Sequence, residues 1–350
     1  MNIATGNKFF LLIIIVFFFT NMAIGSEVTR GQTIGASTHV VPSWFKDSFL
    51  DIKEDVDEAA VSGRHVLLFF QLNGCPYCDR MLNESFEAEP LTRFIQDHFD
   101  TIAINVRGDR EIAFNESLVV TEKQLSNILK VQATPAIILL DENNTQVVRV
   151  NGYRAPERFK HILEFVHSRS YKTTTLANYM QAHLSKDAYR PKNKPQFVKA
   201  TDFSMIEGPL MVIVEDSTCY DCKEFYEDLL THILVKKEIA AYTVVQVDVS
   251  SNQILTDVDD EQITATELVN KYQMIYRPGV LLFNEGKLIR RHDSLAFPHH
   301  FKESLRYVAG RFYKTQTYSN YSQKRTDELL SQGITIDLSQ AKNKVRESPE

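Results

Sequence analysis

The chain has 350 residues, of which 43% are hydrophobic and 24% are charged, and its formal net charge is −6. This length is enough for two domains that each bury a core, and the composition is typical of globular proteins. The charge is mildly negative, and no basic block or stripe of basic and aromatic residues is present. Nucleic acid is therefore excluded as an expected partner.

The beginning of the chain has the pattern of a secretory signal peptide. Lys8 is followed by an apolar run over residues 9–19, and the small residues Ala23 and Gly25 stand where a signal peptidase requires them. The run is shorter than the about 20 residues that cross a bilayer, although an uncleaved anchor is the alternative interpretation. We therefore predict that residues 1–25 are cleaved and that the protein is periplasmic.

The cysteines form two closely spaced pairs, Cys75 with Cys78 and Cys219 with Cys222. A secreted scaffold stabilised by disulfides has more cysteines, spread over long loops. Two Cys-x-x-Cys motifs in an oxidising compartment indicate redox chemistry instead. A zinc site is an alternative, because one such motif is half of a zinc site. Since the two pairs occupy equivalent places of two predicted domains, we predict no metal ligand.

The predicted elements occur twice in the same order. Buried strands at residues 66–70 and 210–214 each lead into a Cys-x-x-Cys motif, and the two motifs stand 144 residues apart. Strands rich in β-branched residues follow at residues 101–106 and 242–249. This repetition indicates one structural unit that is used twice.

The second part of each unit also matches. A capping box, in which a threonine and a Gln or Glu three residues later cap the same helix, begins helices at Thr121 and Thr264. A proline, two short strands around a turn and an amphipathic helix follow each box. These strands and closing helices are predicted at residues 136–140, 147–150 and 156–169 in the first unit, and at residues 280–283, 288–291 and 298–312 in the second.

The order of elements predicts the fold class. A crossover helix between parallel strands, followed by a hairpin, produces a mixed sheet with helices on both faces. We predict an α/β protein with two tandem domains, each a mixed sheet flanked by helices. The predicted boundaries are a first domain at residues 40–172, a linker at 173–198, a second domain at 199–314 and a polar tail at 315–350. Short helices are expected near residues 176–184 and 327–330.

The motif between a buried strand and a helix is suited to thiol chemistry. It places the first sulfur, that of Cys75 or Cys219, at a helix N-terminus, where unpaired N–H groups and the helix dipole favour its thiolate. That thiolate attacks a substrate disulfide, and the second cysteine, Cys78 or Cys222, resolves the mixed disulfide. We predict these four cysteines as the catalytic residues.

Both halves of the chain resemble the thioredoxin superfamily, over residues 61–171 and 210–313. The first unit, with a Phe-x-x-x-x-Cys-x-x-Cys-x-x-Met pattern that ends at Met81, most resembles periplasmic thioredoxins linked to sulfur oxidation. The resemblance implies two tandem thioredoxin-like folds. It also implies that no cofactor is needed beyond the redox-active disulfides.

The resemblance further implies a substrate-docking element in each half. In this superfamily a cis-proline faces the cysteine pair, and the backbone before it binds substrate as an extra strand. By their order in the chain, Pro135 and Pro278 occupy that place. Thr134 and Arg277, which precede them, are the matching predicted substrate-binding residues.

Three features depart from the family pattern. Phe69 and Ile213 stand about where thioredoxins have a buried acid that accepts a proton. Arg277 before the second cis-proline is unusual; it is expected either to stabilise the Cys219 thiolate or to alter which substrate docks. Asp221, between the cysteines of the second centre, is expected to disfavour the thiolate there.

These observations favour an exported thiol–disulfide oxidoreductase, and a reductase in particular. Its predicted partners are protein disulfides or thiol-bound sulfur carriers as substrates and a membrane thiol transporter as the electron donor. The alternative is a client-binding or chaperone-like module in which one or both cysteine pairs are structural disulfides. The sequence also leaves open whether the two centres pass electrons to each other or serve different clients.

Overall fold

The computed structural model describes residues 1, 29–35, 39–131, 133–183, 196–217, 219 and 221–338. In this part of the chain two four-stranded mixed sheets each carry helices on both faces. The predicted fold class is therefore confirmed. The predicted signal peptide lies outside the described residues except for Met1, as do parts of the predicted linker and tail.

The first sheet is built around the strand that leads to Cys75. This strand, His65–Gln71, pairs in parallel with Phe99–Asn105 and antiparallel with Ala136–Leu140. The edge strand Gln146–Asn151 pairs antiparallel with Ala136–Leu140. The central strands are almost entirely buried, because their Val, Leu, Ile and Phe side chains pack under helices on both faces.

The second sheet repeats this arrangement. Leu210–Glu215, which leads to Cys219, pairs in parallel with Thr243–Asp248 and antiparallel with Gly279–Asn284. Lys287–His292 is the edge strand beside Gly279–Asn284. Both sheets therefore place a Cys-x-x-Cys motif at the carboxyl end of a central strand.

The helices surround the two sheets. In the first half they are Ile52–Val61, Pro76–Met81, Leu91–His98, Glu122–Ile128, Pro156–His167 and Leu176–Ala182, with a π-helix at Leu82–Phe86 and a 3-10 helix at Ser170–Lys172. In the second half they are Cys222–Glu224, Ile233–Ile239, Ala265–Lys271, Pro298–Ala309 and Tyr318–Ser331, with a π-helix at Phe225–Leu229 and a 3-10 helix at Phe312–Lys314.

Both predicted capping boxes are present. The Thr121 hydroxyl accepts the Gln124 N–H at 3.2 Å, and the Gln124 side chain accepts the Thr121 N–H at 2.9 Å. The second box, Thr264 with Glu267, has the corresponding distances of 3.1 and 2.8 Å. These two helices therefore begin where the sequence predicts.

Two small hairpins were not anticipated. Glu111–Asn115 pairs with Leu118–Thr121, and Ile254–Thr256 pairs with Gln262–Thr264, each directly before a capping box. Their strands have three to five residues and lie outside the main sheets, so their apolar runs are shorter than those by which buried strands are recognised.

The segment after residue 315 contains more regular structure than the short helix expected there. Helix Tyr318–Ser331 begins at Thr317, whose hydroxyl accepts the Asn320 N–H at 3.3 Å. Tyr321 is 4% exposed, and its hydroxyl donates to Glu303 at 2.8 Å. A few buried contacts thus hold a mostly polar helix against the second domain.

Two terminal segments meet, because Thr33–Ile34 pairs in parallel with Ile336–Asp337.

Among the helices in the described ranges, none has the length and apolar character needed to cross a membrane.

The buried His299 makes stability depend on pH. Its side chain is 9% exposed, and burial, together with the nearby charges of Lys302 and His300, lowers the pKa of His299 from 6.5 to about 4. As pH falls from 6.5 to 4, the unfolded chain takes up a proton here before the folded chain does, so the free energy of unfolding falls. The loss attributable to His299 is at most about 3 kcal/mol.

We expect a His299→Gln variant to show a smaller loss of stability over this range. Denaturant unfolding of both proteins at several pH values measures the difference. If the free energy of unfolding of both proteins fell equally between pH 6.5 and pH 4, so that the two curves differed only by a constant offset, the assignment would be contradicted.

Candidate functional site

Each cysteine pair forms a disulfide in this structure. The Cα atoms of Cys75 and Cys78 are 5.3 Å apart, and those of Cys219 and Cys222 are 5.5 Å apart. Cys78 and Cys222 are fully buried, whereas Cys75 and Cys219 are 5% and 3% exposed. In both centres the first cysteine is thus the more exposed one, but only slightly.

The first centre has the geometry that the sequence predicts. Cys75 is the N-cap residue of helix Pro76–Met81, and its Sγ accepts the Cys78 N–H at 3.1 Å. The hydroxyl of Thr134 donates to the same sulfur at 3.3 Å. When the disulfide is reduced, these donors and the helix N-terminus stabilise negative charge on Cys75 Sγ.

The second centre differs from the first. Its helix begins only at Cys222, with Asp221 as the N-cap residue, so Cys219 lies three residues before the helix. The expectation that Cys219 caps a helix is therefore wrong. Thr218 and Tyr220, which flank Cys219, lie outside the described residues.

The predicted cis-prolines are both cis. The Thr134–Pro135 and Arg277–Pro278 peptide bonds have this geometry, and Thr134 contacts the first cysteine directly. Arg277 forms an ion pair with Asp216, with Arg277 Nε 2.7 Å from Asp216 Oδ2. Because Asp216 compensates the charge of Arg277, the expected electrostatic effect of Arg277 on Cys219 is smaller than the sequence suggested.

The second centre contains a buried acid that the sequence analysis missed. Glu215 is fully buried at the end of its strand, and its Oε2 lies 3.5 Å from Cys222 Sγ. Tyr226 donates its hydroxyl to Glu215 at 2.8 Å, and the Gln246 amide also donates to it. Phe69 and Ile213 are indeed buried apolar residues where the family acid was sought.

The position of Glu215 in the sequence gives a signal for this buried acid. Glu215 is a charged residue at the end of an otherwise apolar strand, two positions after Ile213. The corresponding position of the first domain holds Gln71, which is hydrogen-bonded to His39 at 3.0 Å. The two centres therefore differ in the group at this position.

Asp221 is also buried, at 4% exposed. Burial raises the pKa of its carboxyl, while a hydrogen bond from the Tyr276 hydroxyl and the charges of Arg158 and Arg154 act in the opposite direction. The pKa of Asp221 is raised overall, so its ionised form is less favoured here than in water.

The first centre lies against the second domain. Tyr77, between the two cysteines, stacks on Phe297 with ring centroids 4.0 Å apart, and the Phe297 N–H donates to the Tyr77 hydroxyl. The same hydroxyl is 3.2 Å from His300 Nδ1. Burial raises the pKa of Tyr77, which keeps the phenol neutral and able to donate.

The two cysteine helices are joined by an ion pair. Arg80 Nη1 lies 3.1 Å from Glu224 Oε1, and the two side chains are 24% and 26% exposed. The Arg154 guanidinium lies over the Tyr276 ring, 4.3 Å from its centroid, and burial lowers the pKa of Arg154 to about 10. Both contacts connect the first domain to the second.

A close backbone approach completes this contact. Gly152 has φ of +77°, and a Cβ atom at this position would lie 2.3 Å from the Cβ of Ser294. Only glycine therefore allows these two segments of the chain to approach so closely. The sequence did not predict that the two domains meet at their cysteine pairs.

Among the residues that the structure describes, no group of three or more His, Cys, Asp or Glu side chains is arranged to hold a metal ion.

Residues 52–167 and residues 205–309 each match the thioredoxin-like domain family, and together they make up more than half of the chain. The chain belongs to the thioredoxin-like family. Both matched thioredoxin-like regions contain one Cys-x-x-Cys motif, so the predicted tandem arrangement is confirmed.

Several solved structures are similar to part of this thioredoxin-like protein. A thioredoxin-fold protein from Helicobacter pylori is 26% identical, with a TM-score of 0.32, over 34% of this chain and 84% of its own. A thioredoxin from Thermus thermophilus is 22% identical, with a TM-score of 0.28, over 33% and 83%. The periplasmic thioredoxin SoxS from Paracoccus pantotrophus is 23% identical, with a TM-score of 0.23, over 31% and 99%. Among curated proteins, none matches the chain.

Proposed function

We propose that this tandem thioredoxin-like protein is an exported thiol–disulfide oxidoreductase that reduces disulfides of proteins or of thiol-bound sulfur carriers. The observation that carries the proposal is the environment of Cys75 Sγ. It accepts hydrogen bonds from the Cys78 N–H and the Thr134 hydroxyl at 3.1 and 3.3 Å, beside a cis-proline. A sulfur held by two donors at a helix N-terminus is suited to act as an attacking thiolate.

The reaction then follows thiol–disulfide exchange. The thiolate of Cys75 or Cys219 attacks a substrate disulfide, forms a mixed disulfide and releases one substrate thiolate. The neighbouring Cys78 or Cys222 attacks the first cysteine, so the centre becomes a disulfide and the substrate a dithiol. In the second centre Glu215 lies close enough to Cys222 to accept its proton. Backbone groups of Thr134 and Arg277, before the cis-prolines, hold the substrate chain.

The proposed export depends on residues 1–25, and the proposed electron donor is a membrane thiol transporter. In an oxidising compartment a reductase must be reduced again after each turnover, because the two electrons given to the substrate leave the centre as a disulfide. No separate cofactor is required, since both cysteine pairs already carry the redox chemistry.

One observation favours the second candidate, a client-binding module with structural disulfides. Cys75 and Cys219 are only 5% and 3% exposed, and exposed disulfides are usually the ones that exchange. If the two domains never separate, neither centre reaches a large substrate.

Reduction potentials and exchange rates separate the two candidates. We would measure the potential of each pair against a dithiothreitol series in Cys75→Ser and Cys219→Ser chains, each of which retains one intact centre. A potential near about −270 mV supports a reductase, and one near about −120 mV supports an oxidant of folding proteins.

The same variants are tested for catalysis of protein disulfide reduction by dithiothreitol. We expect each single variant to keep the activity of its intact centre and the Cys75→Ser/Cys219→Ser chain to lose at least about 10²-fold, because the attacking thiolate is absent. If the wild type and the double variant reduce the substrate equally, the enzyme proposal is wrong. Resistance of either pair to reduction would assign that domain to the structural alternative.

A further inference from the structure

Where the two domains meet, equivalent residues of the two cysteine centres make equivalent contacts. Tyr77 and Asp221 both directly precede the second cysteine of their motifs. Tyr77 meets His300, and Asp221 lies near Arg158, whose charge acts on the Asp221 carboxyl. His300 and Arg158 are each the third residue of the last helix of a thioredoxin-like unit. The two domains therefore meet with an approximate two-fold relation.

Two further contacts follow the same relation. Arg80 and Glu224, which form an ion pair, each stand two residues after the second cysteine. Gly152 and Ser294, whose segments approach closely, each follow the edge strand of their sheet. The surface that carries the first cysteine centre thus faces the surface that carries the second.

Tyr276 contacts the surroundings of both centres. Its ring, 1% exposed, packs in the apolar cluster of the first domain that contains Cys75 and Cys78. Its hydroxyl donates to Asp221, between Cys219 and Cys222. The Tyr276 side chain therefore contacts the surroundings of both disulfides.

We propose that the two centres exchange electrons directly, through a transient disulfide between Cys75 and Cys219 of one chain. This inference rests on the proposed oxidoreductase function and adds a reaction within the molecule. Because both cysteines lie on facing surfaces, the local concentration of one thiolate around the other disulfide is far above that of a second chain in solution.

The environments of the two centres determine the direction of electron transfer. Donors at Cys75 stabilise the reduced form of the first centre, which makes that centre the better oxidant. The Glu215 carboxylate beside Cys222 offers no such stabilisation to a thiolate and can take the Cys222 proton. Electrons therefore pass from the second centre to the first.

Apart from protons exchanged with water, the transfer needs only the two cysteine pairs and Glu215. The Cys219 thiolate attacks Cys75 Sγ, the Cys75–Cys78 bond breaks, and Cys78 leaves as a thiolate that takes a proton from water. Cys222 gives its proton to Glu215 and attacks Cys219 Sγ, which forms Cys219–Cys222 and releases Cys75 as a thiolate. Glu215 then loses its proton to water. Two electrons have moved from one pair to the other.

Trapping the intermediate tests the proposal. A Cys78→Ser/Cys222→Ser chain keeps only Cys75 and Cys219, and we expect mild oxidation at low protein concentration to join them within one chain. Mass spectrometry of the proteolytic digest identifies the linked peptides, and the mass of the intact protein shows a monomer without free thiols. The matched control, Cys75→Ser/Cys219→Ser, keeps the fully buried Cys78 and Cys222 and is expected to give at least tenfold less cross-link.

Free thiols or disulfide-linked dimers in place of the internal cross-link would overturn the relay. The unmodified chain provides a second measurement that does not depend on folding of the variants. After partial reduction, electrons should redistribute between the two centres at a rate independent of protein concentration, whereas a rate proportional to concentration would overturn the proposal. If each centre exchanges with added substrate but no relay occurs, the proposed function stands and this inference alone fails.

Discussion

A Glu215→Gln variant is expected to slow disulfide exchange at the second centre roughly 10²-fold near neutral pH while the first centre keeps its rate. Cys222 must lose a proton before it can resolve a mixed disulfide, and Glu215 Oε2 lies 3.5 Å from its sulfur. Glutamine has nearly the same shape and can still accept the Tyr226 hydroxyl, but it cannot accept a proton.

The measurement is single-turnover exchange in a chain whose first centre carries Cys75→Ser. With glutamine at position 215, the Cys222 proton must leave to water, so the rate should rise with pH up to the range in which thiols ordinarily ionise, about 8.5. Tyr226→Phe is the matched control, because it removes a hydrogen bond to Glu215 and keeps the carboxylate. An unchanged rate and pH profile in Glu215→Gln would show that Glu215 takes no proton.

Reversing the charge of Glu224 is expected to make both disulfides at least about tenfold faster to react with an added dithiol. Arg80 and Glu224 lie 3.1 Å apart between the two cysteine helices, and two positive charges at that distance repel. Each side chain is about one quarter exposed, so solvent screens part of the effect. A loss of about 1.4 kcal/mol in the contact already increases the open fraction tenfold.

The experiment compares Glu224→Arg with a Glu224→Arg/Arg80→Glu chain, in which opposite charges face each other again. The double variant should react almost as slowly as the wild type. The match is not expected to be complete, because the glutamate introduced at position 80 lies beside Glu84, which also pairs with Arg80. Far-UV circular dichroism checks that all chains are folded. If the single reversal does not change the reaction rate, this contact does not control access to the sulfurs.

Separation of the domains also links the two proposals. A closed arrangement brings Cys75 towards Cys219 for exchange within the chain, and an open one admits a protein substrate. The Glu224→Arg variant should therefore accelerate reaction with external thiols and slow the transfer between centres. Opposite changes of the two rates would not arise from a general loss of stability.

Much of the fold could be predicted from local patterns in the sequence. The apolar runs before the two cysteine pairs, the capping boxes at Thr121 and Thr264, and the prolines at 135 and 278 each depend on residues close together in the chain. Buried strands, helix starts and cis peptide bonds have local causes, namely side-chain hydrophobicity, capping and the proline ring. Repetition of the same order then identified two domains of one kind.

The tertiary structure alone decided how the two cysteine centres are placed relative to other residues and to each other. Glu215 meets Cys222, seven residues later, because of how the strand end and the following segment pack, and its charge at the end of an apolar strand did not by itself identify it as a neighbour of Cys222. Tyr77 and His300 are 223 residues apart, and Arg80 and Glu224 are 144 apart. Sequence by itself determined the elements and their chemistry, because these depend on near neighbours. The meeting of the two redox surfaces depends on the shape and charge of whole domains, which only the folded chain brings together.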